Sequence, residues 1–320
     1  MTVRIHATRL PTIENRVKGG AVVSLFIVLY LFFAGMGSSA FLIGCSVDFL
    51  MRLKPSKRLG RISLVTDAGM FVGPFVVLLG AAFLVVDLGV PERFLLAFLS
   101  PKSVLTWGAW GISLFSLFSL LALILSPFAS SLVGKVAESA CQVTAIACAT
   151  FVLLYSAAFL SSYPSVPLLH SPMVPILFTC SSVSAGLALL FLIAFARGRI
   201  TGILGEMRPL VHLEAVVTIV ELLALMAFVG YAAFATPAAA SSLQMLLTGS
   251  NSALFWVGAV LTGILIPLAV DFMNARRVNM WLVGACSVCV VAGTFCLRYA
   301  TLASSVRYAL PFMLSAQFWL

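Results

Sequence analysis

Hydrophobic residues come in eight long runs separated by short polar breaks, at 22–46, 65–87, 104–126, 141–163, 173–196, 211–236, 253–273 and 280–303. A helix needs about 20 apolar residues to cross a bilayer. Each run is long enough, and none exceeds a crossing by much. No run shows the ten-residue alternation of a lipid-facing strand, and an open strand in lipid would leave its backbone groups unpaired. The pattern predicts an all-α integral membrane protein with eight transmembrane helices. Small residues recur within runs, as in AGMGSSAFLIG at 34–44, and allow close approach of neighbouring backbones. No internal repeat stands out, but the eight helices could split into two four-helix groups, a first bundle (22–163) and a second bundle (164–303), between an N-terminal tail (1–21) and a C-terminal tail (304–320).

Composition agrees. The 320 residues are 62% hydrophobic and 9% charged, against about 45–50% and about 25% in a soluble domain. Too few polar residues exist to cover a soluble globule, and disorder needs low hydrophobicity with high charge. No soluble catalytic domain fits in the remainder. The first run is too long for the apolar region of a cleavable signal, so no removed leader is expected.

The net charge of +9 fits a membrane protein whose cytoplasmic loops gather Lys and Arg. No stretch interleaves basic and aromatic residues, so no nucleic-acid partner is expected. Arg52, Lys54, Lys57, Arg58, Arg61, Lys135, Arg197, Arg199, Arg208, Arg276 and Arg277 share one side. The other side holds Arg4, Arg9, Arg16, Lys18, Arg93, Lys102, Arg298 and Arg307. The bias puts both termini outside, although the basic N-terminal tail pulls the other way.

The seven cysteines lie in or at the ends of apolar runs and read as small, soft packing residues. Cys286 and Cys289 form a C-x-x-C, but within one helical pattern and without the loop that a metal site needs. His6, His170 and His212 all lie outside the spans, so no histidine pair can clamp a haem across facing helices. No haem and no bound metal are expected.

Charge inside a bilayer is costly and marks a candidate site. Glu221 lies mid-helix, with Glu214 seven residues earlier on a similar face. They read either as proton carriers or as neutral, hydrogen-bonded packing groups. By helical rise, Arg298 stands roughly 10 Å further out than Glu221, which argues against direct pairing. Asp87, Glu92 and Arg93 close the second run, as a solvated cluster or a site. Asp48, Asp67 and Asp271 read as interfacial charge balance. Tyr155, in the outer half of the fourth run, reads as an interfacial anchor or as a hydroxyl offered to a buried ligand. Tyr163 suits the interfacial role better.

Together these segments resemble the NrfD-type family of polysulfide reductase membrane subunits. LYLFFAGMGSSAFLIG (29–44) is like the family's Y-L-F-x-x-G-x-x-x-G-A-F, and DLGVPERF (87–94) is like D-L-G-R-P-E-R-F. SVLTWGAWGISLF (103–115) is like S-P-M-S-W-G-A-W. LLYSAAFLSSYPSVPLLHSPMVPILF (153–178) is like Y-T-G-F-L-L followed by P-x-W-N-T-P-x-x-P-x-x-F. FWVGAVLTGILIPLAV (255–270) and Arg298 also have counterparts. The sequence departs at Val90, where the family has arginine, at Ser156 and Ala157 in place of Thr-Gly, and at His170 in place of asparagine.

The resemblance implies a haem-free, quinone-reactive anchor in a bacterial or archaeal cytoplasmic membrane. It would exchange electrons between membrane quinol or quinone (menaquinone or ubiquinone) and an iron–sulfur partner subunit, itself in contact with a molybdopterin catalytic subunit. The quinone pocket would lie in the first bundle. Tyr155 would hydrogen-bond a quinone oxygen and Asp87 would exchange the proton, with Glu92 beside it. Tyr30, Trp107 and Arg93 would shape or orient the pocket. A rival reading is a proton-coupled transporter or ion-translocating module using Glu221 and Glu214.

Overall fold

The computed structural model describes residues 24–53, 57–87, 98–99, 103–128, 131–196, 208–274 and 280–305. Among these residues the secondary structure is helical throughout, and eight helices are long and apolar enough to cross a membrane. The protein is a multi-pass membrane protein. The first six spans are α1 (Leu25–Leu53), α2 (Lys57–Asp87), α3 (Val104–Leu125), α4 (Leu132–Ala158), α5 (Met173–Ala196) and α6 (Arg208–Ala235). A shorter helix, α7 (Pro237–Thr248), follows. The seventh span joins a π-helical segment (Leu254–Leu265) to α8 (Ile266–Asn274), and the eighth is α9 (Met280–Ala303). We call the end where α1 begins the N-terminal face, and the end where α1 meets α2 the opposite face.

Hydropathy marks the stretch in hydrocarbon, not the whole helix. α4 starts nine residues before its apolar run, with Ser131 as cap accepting from the Gly134 amide at 3.0 Å. Such a hydroxyl satisfies an otherwise unpaired first-turn donor. α7 is absent from the hydropathy pattern. Thr236 caps it by accepting from the Ala239 amide at 3.2 Å, and Pro237 occupies its first position. Proline suits that position because no amide hydrogen is needed there.

α1 and α5 are the most buried spans. α1 packs on α2, α4, α5 and α9; α5 also meets α4, α6 and α9; α3 lies against α4 and α2. Glycine sets the closest crossings. A methyl added at Gly37 would stand 2.6 Å from the Gly73 carbonyl oxygen, and one at Gly73 would stand 2.7 Å from that of Gly37. Only bare backbones fit there. In the seventh span, the π geometry brings positions five apart onto one face. Gly258 thus meets Cys296 and Gly263 meets Gly293, both on α9.

Candidate functional site

Two groups of buried polar side chains stand out, one in each half of the chain. The first lies toward the N-terminal face, between α1, α3 and α4. The Tyr155 hydroxyl donates to the Val104 carbonyl in the first turn of α3, at 3.1 Å. Its ring rests on Gly108, where any added methyl would overlap it, and Phe151 lies over Gly111 in the same way. The two glycines of the W-G-A-W-G stretch therefore make the seat for the aromatic residues of α4.

Those residues follow helical spacing. Phe151, Tyr155, Phe159 and Tyr163 are successive ring neighbours, with centroids 5.9, 5.6 and 5.4 Å apart. The ladder climbs to the N-terminal face, where burial pushes the Tyr163 phenol above its ordinary pKa and keeps it neutral.

Tyr30 of α1 is fully buried. Its hydroxyl lies beside that of Tyr155 yet makes no hydrogen bond of good geometry. The surroundings are apolar: Leu84, Ile112, Phe159 and Leu160 belong to the same buried cluster. The connection between α4 and α5 covers it from the N-terminal face with Val166, Leu168 and Leu169. His170 anchors this connection, its Nδ1 lying 2.6 Å from the Ser161 carbonyl oxygen.

The remaining residues expected at this site are placed differently. Asp87 ends α2, and the Ser24 hydroxyl donates to its carboxylate. Gly80 packs against the Tyr30 backbone. Asp87 lies seven residues further on, so it stands about 10 Å closer to the N-terminal face. Its backbone belongs to the rim, about two helical turns above that of Tyr30. Trp107 is 60% exposed and turned outward, although its neighbours Thr106 and Gly108 are buried. The structure does not bring Trp107 to the pair. Glu92, Arg93 and Val90 lie outside the described residues.

The second group lies between α5, α6, α8 and α9. Arg298 is the largest fully buried side chain. Its Nη2 donates to the Ser182 hydroxyl at 2.6 Å and to the Phe178 carbonyl at 3.2 Å. Its guanidinium stands 5.4 Å from the Phe178 ring centroid and 5.8 Å from that of Phe32. Gly35 leaves room for its partner Ser182, since a methyl there would overlap the Ser182 hydroxyl oxygen.

Glu221, buried on α6, interacts electrostatically with Arg298 and meets the Ser181 hydroxyl. Arg298 Nη1 has no hydrogen-bond partner, so the two charges interact through space without the direct pairing that helical rise argued against. Cα–Cβ bonds tilt toward a helix N-terminus. The long arginine side chain therefore reaches back down α9 toward the level of Glu221.

Glu214 and Asp271 face each other near the opposite face, with Cys286 beside both. Both carboxyls are buried, and an oxygen of each lacks a hydrogen-bond partner. Asp271 is therefore not simply an interfacial charge, as its position three residues from the end of α8 had suggested. At the opposite end of the first half, Asp48, Asp67, Glu138 and Gln142 line a cavity of about 330 Å³. Gln142 donates to Asp48 there at 3.3 Å. Among the described residues no group of three or more histidine, cysteine or carboxylate side chains is placed to hold a metal.

Comparison with known proteins adds a family. Residues 14–308 match the family described as polysulphide reductase, NrfD. A protein named NrfD homolog from Haemophilus influenzae is 28% identical over 299 residues, covering 85% of this chain and 91% of that protein. A polysulfide reductase component from Wolinella succinogenes is 28% identical over 300 residues, covering 85% and 90%. A selenate reductase component from Mesobacillus selenatarsenatis is 34% identical over 85 residues, 26% of this chain and 18% of that protein.

Proposed function

The chain belongs to the NrfD polysulphide reductase family, and from that premise we propose that it is the quinone-reactive membrane subunit of an oxidoreductase complex. Two relatives are named as components of polysulfide and selenate reductases. By analogy, this chain would anchor an iron–sulfur subunit and a molybdopterin catalytic subunit in a bacterial or archaeal cytoplasmic membrane. The basic loops favour both termini, and hence the N-terminal face, outside.

The observation that carries the reading is the fully buried, unpartnered Tyr30 hydroxyl beside Tyr155 in an apolar enclosure. A buried hydroxyl without a partner is unfavourable, and a ligand oxygen would supply one. A quinone headgroup fits such residues: flat, apolar, and carrying oxygens that accept from phenols. Tyr155 and Tyr30 would hold those oxygens, since each phenol can donate or accept. When bound, the quinone supplies a two-electron, two-proton couple. Asp87, at the rim and tied to Ser24, would exchange protons with the outside, and Glu92 and Arg93 would complete that rim.

The test is quenching of a fluorescent quinol analogue by the purified subunit. Saturable binding in wild type, weakened about tenfold by Tyr155→Phe through loss of one hydrogen bond, is the expected result. Binding that is equally tight in Tyr155→Phe and Tyr30→Phe would remove the pair from the site. A wild-type complex that builds an ion gradient without any quinol turnover would favour the transporter reading instead.

A further inference from the structure

We propose that the cavity between α1, α2, α3 and α4 at the opposite face binds the headgroup of an aminophospholipid, with the lipid's primary ammonium held among Asp48, Asp67 and Glu138. The site stands apart from the tyrosine pair, and the inference does not depend on the function proposed above.

All four helices of the first half build it. The cavity of about 330 Å³ is lined by Asp48 from α1, Asp67 and Phe71 from α2, Ser119 from α3, and Glu138 and Gln142 from α4. Its depth is that of lipid headgroups. Asp67 opens the apolar stretch of α2, Asp48 stands near the end of that of α1, and Ser126, also at the cavity, lies just past that of α3.

The cavity gathers negative charge without evident compensation. Asp48 and Asp67 are close enough for their like charges to interact. Gln142 donates to Asp48 at 3.3 Å, but an amide brings no charge. Among the described residues neither Asp67 nor Glu138 has a cationic partner. Carboxyls at the edge of hydrocarbon are costly, and a bound cation offsets that cost. The carboxyls are spread around the cavity, since among the described residues no three are placed to close on a metal ion. A primary ammonium suits such a spread, because its three N–H donors diverge and can meet separate acceptors.

The inner end offers one more unfilled group. Ser116 lies one turn deeper on the face of α3 that carries Ser119 and Leu123, both at the cavity. It is 6% exposed, and its hydroxyl has no hydrogen-bond partner. Ser119 does not serve it, since the Ser119 hydroxyl donates to the Ser116 backbone carbonyl at 3.2 Å. A buried hydroxyl left unpaired is unfavourable, and an N–H of a ligand seated in the cavity would satisfy it. Phe41 closes the cavity beside this point by packing on Phe115, with ring centroids 5.1 Å apart.

The surroundings complement the rest of a lipid. Phe71 is 50% exposed and gives the cavity an apolar flank toward the bilayer. Lys57, Arg58 and Arg61 occupy the first turns of α2, on the water side of Asp67. Lys135 is exposed one turn before Glu138 on α4. Basic residues at this level attract phosphate. A negative cavity beside a positive rim is the complement of a zwitterion whose ammonium enters between the helices and whose phosphate stays at the rim. Phosphatidylcholine carries the same charges, but its quaternary ammonium has no N–H to donate.

The experiment is native mass spectrometry of the intact complex with its partner subunits, delipidated in detergent. It is titrated with phosphatidylethanolamine, phosphatidylcholine or phosphatidylglycerol of identical chains. Wild type should retain phosphatidylethanolamine about tenfold more tightly than either other lipid, as expected for hydrogen bonds between charged groups. Asp67→Asn combined with Glu138→Gln should abolish the preference, and Ser116→Ala should lower it about threefold through loss of one acceptor. Phosphatidylcholine held as tightly as phosphatidylethanolamine by wild type overturns the proposal, and that comparison needs no variant to fold. Full preference in the double variant overturns it as well.

Thermal unfolding of the same samples checks the fold and the source of the amine. A ligand that binds only the folded protein raises its unfolding temperature. Wild type should therefore unfold at a higher temperature with phosphatidylethanolamine than with phosphatidylcholine, and the double variant at the same temperature with both. Stabilisation of lipid-free wild type by spermidine equal to that by phosphatidylethanolamine would assign the cavity to a soluble amine and overturn the lipid.

Discussion

The two halves of the chain solve the problem of polar groups in lipid in different ways. Near Tyr30 and Tyr155 the buried polar groups are neutral phenols set in an apolar cluster and covered by the α4–α5 connection. Between α5, α6, α8 and α9 they are carboxyls and a guanidinium, spread along most of one span. Neutral hydroxyls cost less to bury than charges and can hold a ligand oxygen, but they carry no charge across the membrane. Carboxyls cost far more, and that cost is offset only by a counter-charge or a shared proton. The first arrangement presents neutral hydroxyls, and the second holds charges whose burial must be offset.

Removing the counter-charge is the most disruptive way to test this contrast. Arg298→Leu leaves Glu221 buried without its cation and the Phe178 carbonyl and Ser182 hydroxyl without their donor. Breaking a buried charge pair on one side costs about 3–5 kcal/mol. Thermal unfolding in detergent should show a loss of that size. A loss below about 1 kcal/mol would mean that Glu221 was already neutral. Arg298→Lys should recover part of the stability, because charge returns without the planar fork.

Next in size is Gly108→Ala. The added methyl overlaps the Tyr155 ring, and overpacking of this kind costs about 1–3 kcal/mol. The helices must separate or the ring must turn, so quinol-analogue binding should fall along with stability. Retained binding at lowered stability would detach Tyr155 from the ligand site.

The two tyrosines should then differ from each other. Tyr155→Phe gives up the bond to Val104 and should cost about 1 kcal/mol. Tyr30→Phe removes a hydroxyl with no partner. It should therefore leave stability unchanged or raise it by about a few tenths of a kcal/mol while still weakening quinol-analogue binding. A clear loss of stability in Tyr30→Phe would show that its hydroxyl is satisfied within the protein.

The smallest effect belongs to Trp107→Phe. The side chain is turned outward, so both stability and analogue affinity should stay within about 0.5 kcal/mol of wild type, as for surface changes. A larger loss of affinity would return Trp107 to the pocket, as the family resemblance implied.

Much of this was readable along the chain. The eight runs gave the spans, because a stretch in hydrocarbon must be apolar over its whole length. Glu214 and Glu221 stood out because carboxyls are so rare there. Tyr30 stood out only through the family's motifs, and the position of Tyr155 left two readings open, since a tyrosine in a span also serves as an interfacial anchor. The cap and proline of α7 were legible at Thr236 and Pro237, but a twelve-residue helix falls below the length that hydropathy detects. The π geometry of 254–265 left no trace in composition.

The sequence by itself determined the class, the number of crossings and the family, because those depend on residue types and their order along the polypeptide. It did not determine which buried groups meet. Arg298 reaches the Ser182 hydroxyl and the Phe178 carbonyl through the direction and length of its side chain, which a count of helical rise omits. Asp271 faces Glu214 because α8 packs on α6, and Tyr30 meets Tyr155 because α1 lies against α4. Such meetings depend on how close the helices approach, and glycines such as Gly37, Gly73 and Gly108 set that distance only once a partner backbone or ring is there to be met.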